Sequence, residues 1–156
     1  MIFATVGTQL PFARLIDALD ALAPELGEAV IAQTGASEGA WPKLDIRATL
    51  RPAEFEEIFT AARVIVAHAG IGTILSAKRY AKPLILLPRR HSLGEHRNDH
   101  QLATARQVES LPGIHVAWEV SDLGPLLART DLAPASDAPS PSHAALIARL
   151  RAFIEG

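Results

Sequence analysis

Val64-Ile65-Val66-Ala67-His68-Ala69-Gly70-Ile71-Gly72-Thr73 joins an unbroken apolar run to two glycines spaced by one residue. Four consecutive apolar residues leave no polar side, so the run predicts a strand covered on both faces, as in a parallel sheet. The glycines end that strand and lead into a helix closing near Tyr80. Downstream, Leu84 to Leu87 is a second such strand, closed by Pro88. Upstream, Ile2 to Val6 is another, ended by Gly7-Thr8-Gln9. After Pro11 the residues Phe12, Leu15, Ile16, Leu19 and Leu22 recur at helical spacing, with Asp17 and Asp20 on the wet side.

The same alternation continues over the rest of the chain. Ala29 to Gln33 predicts a strand broken by Thr34-Gly35, and Lys43 to Leu50 a weaker one. Pro52 suits a helix first turn, with Phe55, Ile58 and Phe59 as its apolar stripe. Glu95 to Glu109 predicts a long helix, Ile114 to Trp118 a strand, and Ser121 the cap of a helix through Ala128. Strands and helices alternating at this spacing imply right-handed βαβ units, hence a Rossmann-like α/β fold with a doubly wound parallel sheet. Residues 131–142 are rich in Pro, Ser, Ala and Asp and read as an exposed linker. Ala144 to Ile154 follows as an amphipathic helix. The expected division is an α/β domain over 1–130, a linker over 131–142 and a C-terminal helix over 143–156.

Composition removes several function classes. A chain of 156 residues fits one domain. Fifteen basic and 17 acidic residues leave a formal charge of −2, which offers no nucleic-acid surface. The absence of cysteine excludes disulfides, thiolate metal sites and a thiol nucleophile, and is compatible with a reducing cytoplasm. Met1 runs directly into the first strand without a basic lead-in, unlike a signal peptide. No apolar run is long enough to span a bilayer.

In doubly wound sheets ligands bind beyond the carboxyl ends of the strands. The loops to read for chemistry are therefore 7–11, 33–37, 68–73 and 88–101. Gly7 permits close backbone approach, and the helix start after it offers N–H groups to an anion. The motif His68 to Thr73 fits a phosphate or diphosphate cradle through Gly70, Gly72 and Thr73. It is neither a Walker motif nor a full dinucleotide fingerprint. Pro88 to Gln101 holds almost no apolar side chain, yet lies between a buried strand and a helix, so it reads as a site lining. His96 and His100 stand at i and i+4, a metal-sharing spacing, but no third ligand is evident. No metal or cofactor is expected.

Together, Phe3 to Gln9 with Pro11-Phe12, Ile31 to Gly35, Val66 to Thr73, Lys82-Pro83, Pro88-Arg89-Arg90 and Glu95 to Gln101 resemble the C-terminal domain of glycosyltransferase family 28. The likeness is to stand-alone versions, the soluble catalytic subunits of two-component enzymes of exopolysaccharide assembly and dolichol-linked N-acetylglucosamine transfer. It implies one half of a GT-B enzyme that is inverting and metal-independent. This half would bind a UDP-sugar donor, UDP-glucuronate or UDP-N-acetylglucosamine. A membrane-anchored glycosyltransferase subunit would hold a lipid-linked saccharide acceptor, recruiting the cytoplasmic chain to the membrane face. The donor contacts implied are Gly7, Thr8, Gln9, Gln33, Gly70, Gly72, Thr73, Arg89, Arg90, Glu95, Asn98, His100 and Gln101. Ser76 stands where murein-synthesis members carry a ribose-gripping glutamate, with Glu95 or Asp99 as substitutes. The catalytic base is expected in the partner, with His68 and His91 in reserve. The C-terminal helix is similar to the segment that fastens the subunits together. Two other classes stay open: a non-catalytic nucleotide-binding or regulatory module, and a metal hydrolase built on His96 and His100.

Overall fold

The computed structural model describes residues 1–7 and 10–136. Six parallel strands, β1 (Ile2–Thr5), β2 (Val30–Gln33), β3 (Asp45–Arg47), β4 (Val64–Ala67), β5 (Leu84–Leu86) and β6 (Ile114–Val116), form one sheet. Their spatial order is β3-β2-β1-β4-β5-β6. The chain winds outward from β1 in one direction and from β4 in the other. The switch point therefore lies between β1 and β4, where the ends of neighbouring connections diverge and leave a crevice.

The predicted apolar runs occupy the centre because they have no side to give to water. Every residue of β1, β4 and β5 is buried. Alternate side chains serve opposite faces, as the strand period requires. Ile2, Ala4, Val64, Val66 and Ile85 pack under α1 (Ala13–Leu26) and α5 (Leu123–Ala128). Phe3, Ile65, Ala67, Leu84 and Leu86 pack under α2 (Pro52–Ala61), α3 (Ile71–Arg79) and α4 (His100–Val108). On that second face Phe3 meets Phe55 and Phe59 edge-on, at 5.5 and 6.2 Å between centroids. The edge strand β3 is shorter than the predicted 43–50 run, with Asp45 and Arg47 exposed.

Two helix boundaries differ from expectation. The predicted Glu95–Glu109 helix begins only at His100. Before it, His91–Leu93 forms a single 3-10 turn, and Gly94 is left-handed at φ +70°. Glu95, Asn98 and Asp99 spend their side chains on loop hydrogen bonds and not on a helix face. Nor does Ser121 cap α5: Val120–Asp122 makes a 3-10 turn, in which Asp122 accepts from the Glu119 N–H. Pro52 does occupy the first turn of α2.

Of the stretch read as linker, residues 131–136 are described. They pass the amino ends of β5 and β6, where Ala135 is buried beside Gly113 and donates its N–H to the Lys82 carbonyl at 3.0 Å. Leu132 packs against the α1 face. These two residues depart from the exposed linker expected there. The predicted C-terminal helix lies outside the described residues. Among those described, no helix is long and apolar enough to cross a membrane.

Candidate functional site

The loops that follow β1, β4 and β5 meet at the switch point, and His68 is the residue on which they close. Its Nδ1 lies 3.0 Å from Gln101 Nε2 and 3.1 Å from Arg89 Nη1. Burial, reinforced by the charges of Arg89 and His96, pushes its pKa down to about 3, so the imidazole is neutral at physiological pH. The opposite ring edge, Cε1 and Nε2, fills the space where side chains of two loop glycines would stand. A Cβ on Gly70 would sit 2.4 Å from Cε1, and one on Gly7 would sit 3.2 Å from Nε2. Gly7 also has φ +77°, a conformation that side chains resist. Both glycines are thus required by the histidine as well as by any approaching ligand.

Arg89 is the second member. It is a cation only 3% exposed, and among the described residues no carboxylate touches it. Its Nη2 donates to the Val6 and Leu10 carbonyls at 2.6 and 2.8 Å, and its guanidinium lies over the Phe12 ring at 5.0 Å. Burial lowers its pKa to about 10, still leaving it charged. The side chain expected to contact donor directly therefore clamps the loop around Gly7 and supplies that loop with positive charge. Gln101 is the third member, 7% exposed in the first turn of α4. Its Oε1 accepts from the backbone N–H of Ala69 and Arg89, at 3.3 and 2.9 Å.

Gly70 caps α3, so the N–H groups of Ile71, Gly72 and Thr73 have no acceptor within the helix. A Cβ on Gly72 would meet nothing within 4 Å. This helix start therefore presents an open row of donors and a positive dipole end beside His68. Gln33 lies at the end of β2, where its Oε1 accepts from the Thr5 hydroxyl at 2.9 Å. Thr8 and Gln9 lie outside the described residues.

The remaining loop residues are held by the protein itself. Arg90 turns away, donating to the Trp118 carbonyl and Glu119. Glu95 forms a two-pronged ion pair with Arg14 at 2.8 and 2.9 Å and accepts from the Arg90 N–H. Asp99 accepts from the His91 N–H, and Asn98 accepts from the His100 N–H at the start of α4. The two carboxylates offered for ribose are thus engaged at Glu95 Oε1 and Oε2 and at Asp99 Oδ1. His91 is exposed. His96 stands outside α4, so the i,i+4 face that would pair it with His100 does not form. Among the described residues no three potential metal ligands converge.

Arg14 went unnoticed in the sequence, and Phe12 figures there only as part of an apolar stripe and of the Pro11-Phe12 motif. A basic residue in the first helical turn opposes the helix dipole, which is a sign that it has a partner elsewhere. Buried polar atoms lacking a partner among the described residues also concentrate here: Arg89 Nε, Arg90 Nε and His96 Nδ1 share one loop. Orphaned donors at a cleft mark where a ligand would complete the hydrogen bonding.

The family model for the glycosyltransferase family 28 C-terminal domain matches residues 1–112. The UDP-N-acetylglucosamine transferase subunit ALG13 of Eremothecium gossypii is 35% identical over 92 residues, which is 58% of this chain and 43% of that protein. The chain thus matches less than half the length of this curated relative. The solution structure of ALG13 superposes with a TM-score of 0.61 at 18% identity, covering 94% of both chains. The Streptomyces glycosyltransferase SsfS6, complexed with thymidine diphosphate, gives 0.55 at 21% identity, covering 99% of this chain and 36% of that one. At these identities the two structures establish the shared fold.

Proposed function

The chain belongs to the glycosyltransferase family 28 C-terminal domain family, and on that premise we propose that it is the donor-binding subunit of an inverting, UDP-sugar-dependent glycosyltransferase. The observation that carries this reading is Arg89, a buried cation with no contacting carboxylate among the described residues, set beside the N-terminus of α3. A diphosphate supplies the negative charge such a pocket lacks. Thymidine diphosphate in SsfS6 shows that a protein of this fold holds a nucleoside diphosphate.

The chemistry follows from what leaves. As the sugar is transferred, its bond to the diphosphate breaks and negative charge grows on the departing oxygen. Preorganised donors stabilise that charge more than the ground state and need no reorganisation. The α3 N–H groups and the ring N–H of His68 are the donors this chain would provide, with Arg89 adding field from behind. Because Nδ1 of His68 is occupied and the ring is neutral, His68 serves as donor and is withdrawn as base. The base that deprotonates the acceptor hydroxyl belongs to a partner subunit, with exposed His91 as the remaining candidate in this chain.

Likeness to ALG13 favours N-acetylglucosamine over glucuronate as the donor sugar. The acceptor would be a lipid-linked saccharide, in exopolysaccharide assembly or a related pathway, held by a membrane-anchored partner that recruits this chain to the cytoplasmic face. Residues 143–156 would fasten the two subunits. Calorimetric titration with UDP, against ADP and in EDTA, tests the reading. Selective UDP binding that survives chelation is expected. Failure to bind UDP both alone and as the co-expressed pair would overturn it.

A further inference from the structure

We propose that Gln101 is a positioning residue that fixes the proton of His68 on Nε2, making the ring a permanent donor toward the diphosphate. The proton assignment stands on geometry alone, whereas its use on a diphosphate rests on the function proposed above.

The amide of Gln101 is oriented by its neighbours. Its oxygen faces two backbone N–H groups, those of Ala69 and Arg89. Turned the other way, the amide would set its own N–H bonds against those donors. Two donors on one side therefore settle which end of the amide is oxygen. The NH2 end is left facing His68 Nδ1 at 3.0 Å. Arg89 Nη1, which only donates, faces the same nitrogen at 3.1 Å. A ring nitrogen confronted by two donors must present its lone pair. The single proton of the neutral ring is then on Nε2, beside Gly7 and Gly70.

The same geometry rejects a second proton, because an Nδ1–H would meet both donors head-on. The groups facing the ring are Arg89 after β5, His96 before α4, Gln101 on α4, Gly7 after β1 and Gly70 at the α3 cap. Among the described residues none of these is a carboxylate, so no contact here rewards an imidazolium. A buried, neutral donor stabilises an oxyanion without taking part in proton exchange. The arrangement spans three loops, yet it depends on one buried amide.

Gln101→Glu reverses the logic with almost no change of shape. One carboxylate oxygen still accepts from the N–H groups of Ala69 and Arg89, while the other now accepts a hydrogen bond from Nδ1–H. The ring would carry its proton on Nδ1 when neutral and take a second readily. Long-range 1H–15N spectra of the full chain, labelled at histidine and assigned with His68→Gln, read this directly. In the unaltered chain Nε2 is expected to be protonated and Nδ1 bare from about pH 5 to 8. A wild-type ring protonated on Nδ1, or titrating near the ordinary histidine value, overturns the proposal.

The variant gives the functional arm by UDP calorimetry. Gln101→Glu should bind UDP about tenfold more weakly at pH 8, recovering part of the loss near pH 6 as Nε2 regains a proton. A merely structural glutamine would give a loss without that pH dependence, which counts against positioning, as does an unchanged affinity. If the variant fails to fold, the wild-type spectra still decide the assignment. A correct Nε2 proton in a chain that never binds UDP sinks the proposed function and leaves the tautomer standing.

Discussion

Replacing Glu95 by glutamine and Arg14 by methionine, singly and together, separates two roles for the same carboxylate. As a donor contact Glu95 would face the nucleotide, whereas in the structure both its oxygens face Arg14 across 81 positions of sequence. Two charge-assisted hydrogen bonds, at about 1.5–3 kcal/mol each, would set an upper limit near 6 kcal/mol. Exposed ion pairs measure only about 0.2–1 kcal/mol, because water solvates the separated ions well. The side chains here are 21% and 11% exposed, between those limits, so a coupling energy of about 2 kcal/mol is expected. For a domain of this size, Glu95→Gln should then lower Tm by roughly 4–8 °C. Urea unfolding of the wild type, both single variants and the double variant gives the coupling. Strictly additive effects, within about 0.5 kcal/mol, would refute the staple. UDP affinity supplies the second half of the test. The staple predicts similar, modest losses for the two single variants, since each loosens the same loop. A large loss confined to Glu95→Gln would instead restore a direct donor contact.

The two glycines of the α3 start should behave differently. Gly70 has ordinary extended angles, so alanine there fails only by collision with His68, which Gln101 and Arg89 pin from behind. Gly70→Ala should cost about 1–3 kcal/mol in urea unfolding and weaken UDP binding as well. Gly72→Ala, with open space around its Cβ, should leave stability unchanged or raise it by up to about 1 kcal/mol. Any penalty for that variant should appear only in UDP affinity, and equal stability losses for both would contradict the geometry. Stability should also depend on pH through His68. Its folded pKa of about 3 lies below the ordinary 6.5, so the unfolded chain binds the extra proton. Stability is therefore full above about 6.5 and is lost as pH falls toward 3. His68→Gln should flatten the upper part of that decline in urea midpoints measured from pH 7 to 5, and an unchanged slope would count against a buried, neutral ring.

Much of the architecture was legible because it rests on local rules. Strand positions at β1, β4 and β5 follow from runs with no polar side, and chain winding follows from the handedness of βαβ units. Glycine-containing turns at Gly7 and Gly70 marked the carboxyl edge where such sheets bind ligands. The division of labour within the site was not legible. Arg89, Glu95 and Gln101 read as ligand contacts because their side chains suit an anion or a sugar, yet the protein engages both oxygens of Glu95, both ends of the Gln101 amide and the two terminal nitrogens of Arg89. Residue type states what a side chain can bond, and only its neighbours in space determine what it does bond. Arg14 and Glu95 meet through the packing of α1 beside the loop after β5, a pairing that no spacing along the chain encodes. The early end of the polar run as loop and not helix has the same origin, because Glu95, Asn98 and Asp99 find loop partners that outweigh helical propensity. From order and period alone the chain determined a doubly wound sheet and the edge at which chemistry would occur. Tertiary contact decided which groups face Nδ1 of His68, since no spacing along the chain brings Arg89 and Gln101 to one ring nitrogen.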